Sequence, residues 1–169
     1  MPGNRRPRKR YVPRPVQIAA PVEAVIARAG LMPVSARATF VAGMRKALEG
    51  LRTATSRWPA WAELADALNV AESLCALRIA RDHAGTILTG QRALADVHAR
   101  QAAGGSWTLR AAELKALQDA VEIAEIQLEY CTQGEFVDAV AATQRRVAAA
   151  RQGSASPRAI VCVAGAVGR

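Results

Sequence analysis

The chain has 169 residues, of which 51% are hydrophobic and only 4% aromatic, a composition that favours thin helix-on-helix packing over a bulky sandwich. Three cysteines without close spacing argue against a disulfide scaffold, and no apolar run approaches the roughly 18 residues of a membrane span, so a cytoplasmic protein with no membrane contact is expected. The net charge of +9 lies mainly at the two ends: residues 1–15 contain six Lys and Arg, residues 141–169 contain five, and neither stretch contains an acid.

Residues 1–15 are predicted to form a disordered basic arm, because prolines fix φ and like charges oppose collapse in the stretch RRPRKRYVPRPV (5–16). A basic arm on a nearly neutral body is typical of a protein that contacts a polyanion. The residues predicted to bind nucleic acid or another partner are Arg5, Arg6, Arg8, Lys9, Arg10, Tyr11 and Arg14. Two alternatives stay open: residues 12–15 dock into a protein groove as a polyproline segment, or the arm only keeps the protein soluble.

The sequence after the arm predicts an all-α fold, an up-and-down type of bundle with about five or six helices. One domain is expected over residues 16–152, followed by a flexible extension over residues 153–169. The first helix is predicted over 21–29, with Val22, Val25 and Ile26 on one face. The second is predicted from Ser35, as N-cap, to about residue 52, with an apolar face of Phe40, Met44, Leu48 and Leu51.

A long third helix is predicted to open at Trp58-Pro59 and to be the central element of the bundle. It has two apolar stripes and is therefore expected to pack on two sides. A break is predicted at 82–85, before a fourth helix over 86–103. The two stripes consist of Trp61, Leu64, Leu68, Ala71 and Cys75, and of Val70, Leu74, Leu77 and Ile79.

The fifth helix, predicted to be capped by Ser106 or Thr108, has the most regular pattern in the chain. Its stripe alternates steps of three and four residues, which indicates an internal antiparallel seam; the alternative is a homo-oligomer through the helix from Leu114 to Cys131. Glu122, Glu125 and Glu129 are predicted to form a solvated outer face or a docking site for a basic arm. The stripe comprises Leu114, Leu117, Val121, Ala124, Leu128 and Cys131.

The last helix is predicted over 135–152, with its inward face made of Val137, Val140, Gln144 and Val147. The apolar residues 159–167 are compatible with a strand, a docked extension or disorder, and the pattern does not choose among them.

No catalytic, cofactor or metal site is predicted. His83 and His98 lack a cysteine or carboxylate at ligand spacing, and Gly104-Gly105 lacks the features of a phosphate-binding loop. Cys75 and Cys131 fall on apolar stripes and are interpreted as small buried hydrophobes rather than nucleophiles. The three tryptophans, Trp58, Trp61 and Trp107, are expected to pack on the core rather than to stack on bases.

Three stretches carry a resemblance: RKRYVPRPV (8–16), WAELADALNVAESL (61–74) and GGSWTLRAAELKAL (104–117). In these the chain resembles a group of bacteriophage and prophage proteins of beta- and gammaproteobacteria that share a basic Pro/Arg start and a helical body. The resemblance implies a small phage product made inside a bacterial cell; no activity is attached to the group, so no catalytic residue can be carried over.

The expected function is accordingly that of a non-enzymatic phage accessory or regulatory protein. Its helical body would dock or oligomerise while its basic arms contact nucleic acid. The alternative is a protein-only inhibitor or adaptor of a host factor, such as a defence or transcription protein.

Overall fold

Six α-helices make up the part of the chain that the structure describes, a computed structural model in which residues 22–55 and 57–151 are placed. They are α1 (Val22–Ala29), α2 (Val34–Arg52), α3 (Arg57–Ala76), α4 (Ala84–Ala102), α5 (Ala111–Tyr130) and α6 (Gln133–Arg151), with a short 3-10 helix, Arg81–His83, before α4. The predicted all-α bundle is confirmed. The predicted arm, residues 1–15, and the predicted extension, residues 153–169, lie outside the described residues.

The third helix is central, as its two stripes predicted, because α3 contacts α2, α4, α5 and α6. Both stripes are buried along the helix: Leu64 and Leu68 have no exposed surface, and Val70 and Leu74 are almost completely covered. The most extensive helix pair is α4 with α5. Gly90 permits that approach, because a Cβ on this residue would lie only 2.5 Å from the Cβ of Ala120.

The apolar stripe of α5 lies in the core of its own chain. Leu117, Val121, Ala124, Leu128 and Cys131 are all buried, with no other chain present. The internal seam is therefore the arrangement that the structure shows, and this stripe is covered by α2, α3 and α4.

Backbone hydrogen bonds tie the α1–α2 connection to the α5–α6 connection. The N–H of Met32 donates to the carbonyl of Cys131 at 3.2 Å, and the N–H of Gln133 donates to the carbonyl of Gly30 at 2.9 Å. An isolated antiparallel bridge pairs Leu31 with Thr132. These contacts hold together two connections that are distant in sequence, and α1 packs against α6.

Several predicted helix ends are wrong. The second helix begins at Val34 with Pro33 as N-cap, so Ser35 lies inside its first turn. The third ends at Ala76 instead of continuing to the predicted break, because Arg78 and Ala80 adopt left-handed backbone angles, φ +71° and +52°. Leu77, expected on the second stripe, is 44% exposed.

The predicted caps of the fifth helix are also wrong, since α5 begins at Ala111 rather than near Ser106 or Thr108. The hydroxyls of these two residues bond to each other at 2.7 Å in a non-helical stretch before the helix. The N–H of Arg110, at the N-cap, donates instead to Oε2 of Glu113 at 2.8 Å.

The sixth helix begins two residues earlier than predicted, and its inward face differs. Ala139 and Thr143 are buried, whereas Val137 is 46% exposed and Gln144 is exposed. Val140 and Val147 are only partly buried. The predicted valine face is therefore rotated out of the core, toward the space between α6 and α2.

In the described part of the chain, no helix is long and apolar enough to cross a membrane.

Candidate functional site

A groove of about 830 Å³ opens between α2, α3 and α6 and is called here the α2–α3–α6 groove. The surface of its lining is mostly apolar, and polar residues from all three helices lie within it. The apolar lining is Phe40, Met44, Ala67, Val70, Val140, Val147 and Ala148; the rest is Thr39, Gly43, Glu63, Asp66, Thr143, Gln144 and Arg151.

The sequence shapes this groove through one glycine and two small residues. A Cβ on Gly43 would lie 2.6 Å from Oε1 of Glu63, so glycine lets the α3 carboxylate reach the α2 backbone. On the opposite side, buried Ala139 and Thr143 seat α6 on the core. Since these two residues take the inward positions, Val140 and Val147 are left to line the groove.

A buried polar cluster fixes α6 to α3 beneath the groove. The hydroxyl of Thr143 lies 2.8 Å from the hydroxyl of Ser73 and donates to the carbonyl of Asn69 at 3.1 Å. Glu72 extends the cluster, accepting from Arg146 at 2.7 Å and from Gln91 at 3.1 Å. Because buried polar groups need matched partners, these bonds specify the register of α6 along α3.

The groove carries an acidic wall. Glu63 and Asp66 both line it, and neither forms an ion pair with another described side chain. Partial burial raises the pKa of Asp66, while the positive charge of Arg151 opposes that rise. The groove therefore suits an apolar guest with a cationic flank better than an anionic one.

The two cysteines of the described chain behave as predicted, as small buried hydrophobes. Cys75 is 5% exposed and Cys131 has no exposed surface. Burial is the main cause that raises the pKa of both thiols, and Glu72 adds to the effect at Cys75 while the Gln127 amide opposes it. Both are therefore neutral thiols at physiological pH.

Gln127 is a buried polar residue that links α5 to α3. Its amide nitrogen donates to the carbonyls of Ala71 at 3.1 Å and Ile79 at 3.0 Å, and lies 3.1 Å from the sulfur of Cys75. Its amide thus ties the end of α3 and the following loop to α5.

The three tryptophans pack on the core where α3 begins. Trp61 is 1% exposed and its indole N–H donates to the carbonyl of Leu94 at 2.8 Å. Trp58 stacks on Trp61 with ring centroids 4.9 Å apart, and Trp107 meets Trp58 edge-on at 6.1 Å. His98 packs against Trp61 at 5.1 Å. The expected core use of these rings is confirmed.

Within residues 22–55 and 57–151, no group of three or more His, Cys, Asp or Glu side chains is placed to hold a metal ion.

The residues predicted to bind nucleic acid or a partner lie outside the described residues: Arg5, Arg6, Arg8, Lys9, Arg10, Tyr11 and Arg14. The groove was not predicted from the sequence. A usable signal was present, because Asp66, Asn69 and Ser73 place polar groups at steps of three and four along a helix expected to pack on two sides. Such a stripe indicates a polar contact to another element.

Comparisons of the chain with protein-family models, with curated proteins and with solved structures found no match.

Proposed function

We propose that the chain is a non-enzymatic binding protein whose helical body carries a basic segment, residues 1–15, that contacts the phosphates of nucleic acid. The observation that carries the proposal is the partition of charge. Residues 22–151 contain 15 Lys and Arg against 14 Asp and Glu, whereas the chain as a whole has a net charge of +9. The positive excess therefore lies almost entirely outside the helices.

The ion pairs of the body support the same interpretation. Six of its basic side chains are paired with carboxylates, which leaves the helical surface without a large surplus of one sign. The best-covered pair joins Arg100 to Glu113 at 2.6 Å between α4 and the start of α5. Four of the six pairs join different helices, so these cations already have partners within the bundle, and phosphate contacts are expected from residues 1–15.

Phosphate contacts position a protein on nucleic acid but carry little base information. We therefore propose binding with low sequence preference. The bacteriophage setting implied by the resemblance fits such an accessory role, and it stays part of the proposal.

The test is fluorescence anisotropy with labelled duplex DNA, single-stranded DNA and RNA. The variant changes Arg5, Arg6, Arg8, Lys9 and Arg10 to Glu. The control reverses five exposed body cations that belong to none of the six ion pairs: Lys46, Arg57, Arg81, Arg92 and Arg145. Both proteins change net charge equally, so only location differs.

The proposal expects the first variant to lose at least about a hundredfold in affinity at low salt, and the control to lose much less. Equal losses would show a diffuse charge effect and contradict the proposal. If the unaltered chain binds none of the three probes, the alternative becomes the better account: an inhibitor or adaptor that acts on a host protein.

A further inference from the structure

The α2–α3–α6 groove lies where the described part of the chain ends. Arg151 lines the groove and is also the last residue of α6. A further 18 residues follow it in the sequence. Those residues therefore follow directly on a residue of the groove lining.

The segment 159–167, Ala-Ile-Val-Cys-Val-Ala-Gly-Ala-Val, matches the groove in chemistry. It contains no charged residue and consists of small and β-branched apolar side chains. The groove offers Phe40, Met44, Val140 and Val147 as apolar partners. Burying such a segment is favourable because apolar surface leaves water.

Charge complementarity favours placing the N-terminal end of the segment beside the acidic wall. Arg158 precedes it, and residues 152–169 contain no acid. Glu63 and Asp66 supply the acidic wall; neither forms an ion pair with a described residue, and the positive charge of Arg151 acts on Asp66. An arginine entering the groove beside these carboxylates would supply the ion pair that the described part of the bundle does not.

The connection is long enough to fold back. Residues 152–158 include Gly153 and Pro157, residue types that favour turns. Seven extended residues reach about 25 Å, close to the roughly 28 Å length of a 19-residue helix such as α6. The segment can therefore run back along the groove within one chain.

We propose that residues 159–167 dock into the α2–α3–α6 groove of the same chain. This inference does not rest on the proposed contact with nucleic acid, since its partners are groove and segment alone.

The test uses disulfide formation from the cysteine within the segment, Cys162. In the full chain, Thr39→Cys places a thiol in the α2 wall of the groove, and Ala38→Cys is its matched control. Residues 38 and 39 are neighbours on one helix and both are exposed, but only Thr39 lines the groove. Cys75 and Cys131 are buried and compete little.

Oxidised glutathione drives disulfide formation between Cys162 and the introduced thiol. Mass spectrometry of the monomer and dimer fractions follows which disulfides form. Docking predicts that the thiol introduced by Thr39→Cys bonds to Cys162 within the monomer at least about tenfold faster than the control thiol does, because docking raises the local thiol concentration. Adding Val163→Asp should remove that advantage. Gln144→Cys, in the α6 wall, provides a second groove position.

Each other outcome overturns the proposal. Equal rates for Thr39→Cys and Ala38→Cys, with no preference at Gln144→Cys, would show a segment that meets the surface at random. Cross-linked dimers that grow with protein concentration would mean that the groove receives the segment of a second copy. An advantage that survives Val163→Asp would show that apolar docking is not the cause.

Discussion

Glu113 joins two helices and a loop through one carboxylate. It accepts from Arg100 of α4 at 2.6 and 3.0 Å and from the N–H of Arg110 at 2.8 Å. Its side chain is only 9% exposed. The hydrogen bond from Arg100 is the main cause that lowers the pKa of this carboxyl, opposed by burial and helped by the Arg110 N–H.

The Glu113→Gln variant is expected to lose about 1–3 kcal/mol of unfolding free energy at neutral pH, because charge-assisted bonds to a covered group are lost. A lowered folded-state pKa contributes stability that is present above the unfolded value, near 4.5, and lost as pH falls through the folded value. The difference in unfolding free energy between the native protein and the variant should therefore shrink as the pH falls below about 4.5. Urea unfolding at pH 7 and at pH 3.5 measures it; a gap that stays constant or widens in acid would contradict the account.

Two glycines of α4 provide a matched pair. A Cβ at Gly90 would lie 2.5 Å from the Cβ of Ala120 and 3.2 Å from Cδ1 of Leu68, whereas a Cβ at Gly85 meets nothing within 4 Å. Gly90→Ala is expected to destabilise the bundle by about 1–3 kcal/mol, because the overpacking outweighs the gain in helix propensity. Gly85→Ala is expected to stabilise it by up to about 1 kcal/mol. Thermal unfolding of the two variants checks the signs, and a stabilised Gly90→Ala would be evidence against the close α4–α5 packing.

At the scale of the element, the start of α6 is held by a capping box. The N–H of Thr132 donates to Oε2 of Glu135 at 2.7 Å, and the N–H of Glu135 donates to the Thr132 hydroxyl at 3.1 Å. Thr132→Ala should cost about 1 kcal/mol of stability. Ser35→Ala is the control, since Ser35 has the sequence of a cap but lies inside α2, where alanine favours the helix. Equal losses for both in chemical denaturation would show that the box contributes nothing.

Helix bodies were predictable because apolar periodicity reports the buried face directly. The stripes of α3 and α5 are buried nearly as predicted. Helix ends depended on contacts with other parts of the chain, and apolar periodicity does not report such contacts. The side chain of Arg100 donates to the carbonyls of Ser106 at 3.1 Å and Thr108 at 2.8 Å. These bonds hold the stretch in a non-helical conformation, and α5 begins only at Ala111.

The groove escaped prediction for a related reason. The pattern of α6 offered two faces, and the valine face was the more apolar. The inward face is instead the one whose Thr143 finds a partner in Ser73, 70 residues earlier in the chain. A buried polar match decided the rotation of the helix, and the valines became the wall of a groove.

At the scale of the whole molecule, the basic segment and the helical body are expected to be independent in stability. Changing Arg5, Arg6, Arg8, Lys9 and Arg10 to Glu should shift the free energy of unfolding by no more than about 0.5 kcal/mol, as is usual for surface changes away from packed features. Urea unfolding followed by circular dichroism measures the shift. A loss of several kcal/mol would mean that residues 1–15 belong to the folded unit.

The central claim is that residues 1–15 contact phosphates, and the salt dependence of binding tests it most directly. The measurement is the affinity of the full chain for labelled duplex DNA over a range of salt concentrations. If all six cations of the segment neutralise phosphates, log K against log salt should fall with a slope of about −5. A slope near zero, or no measurable binding at low salt, would contradict the claim.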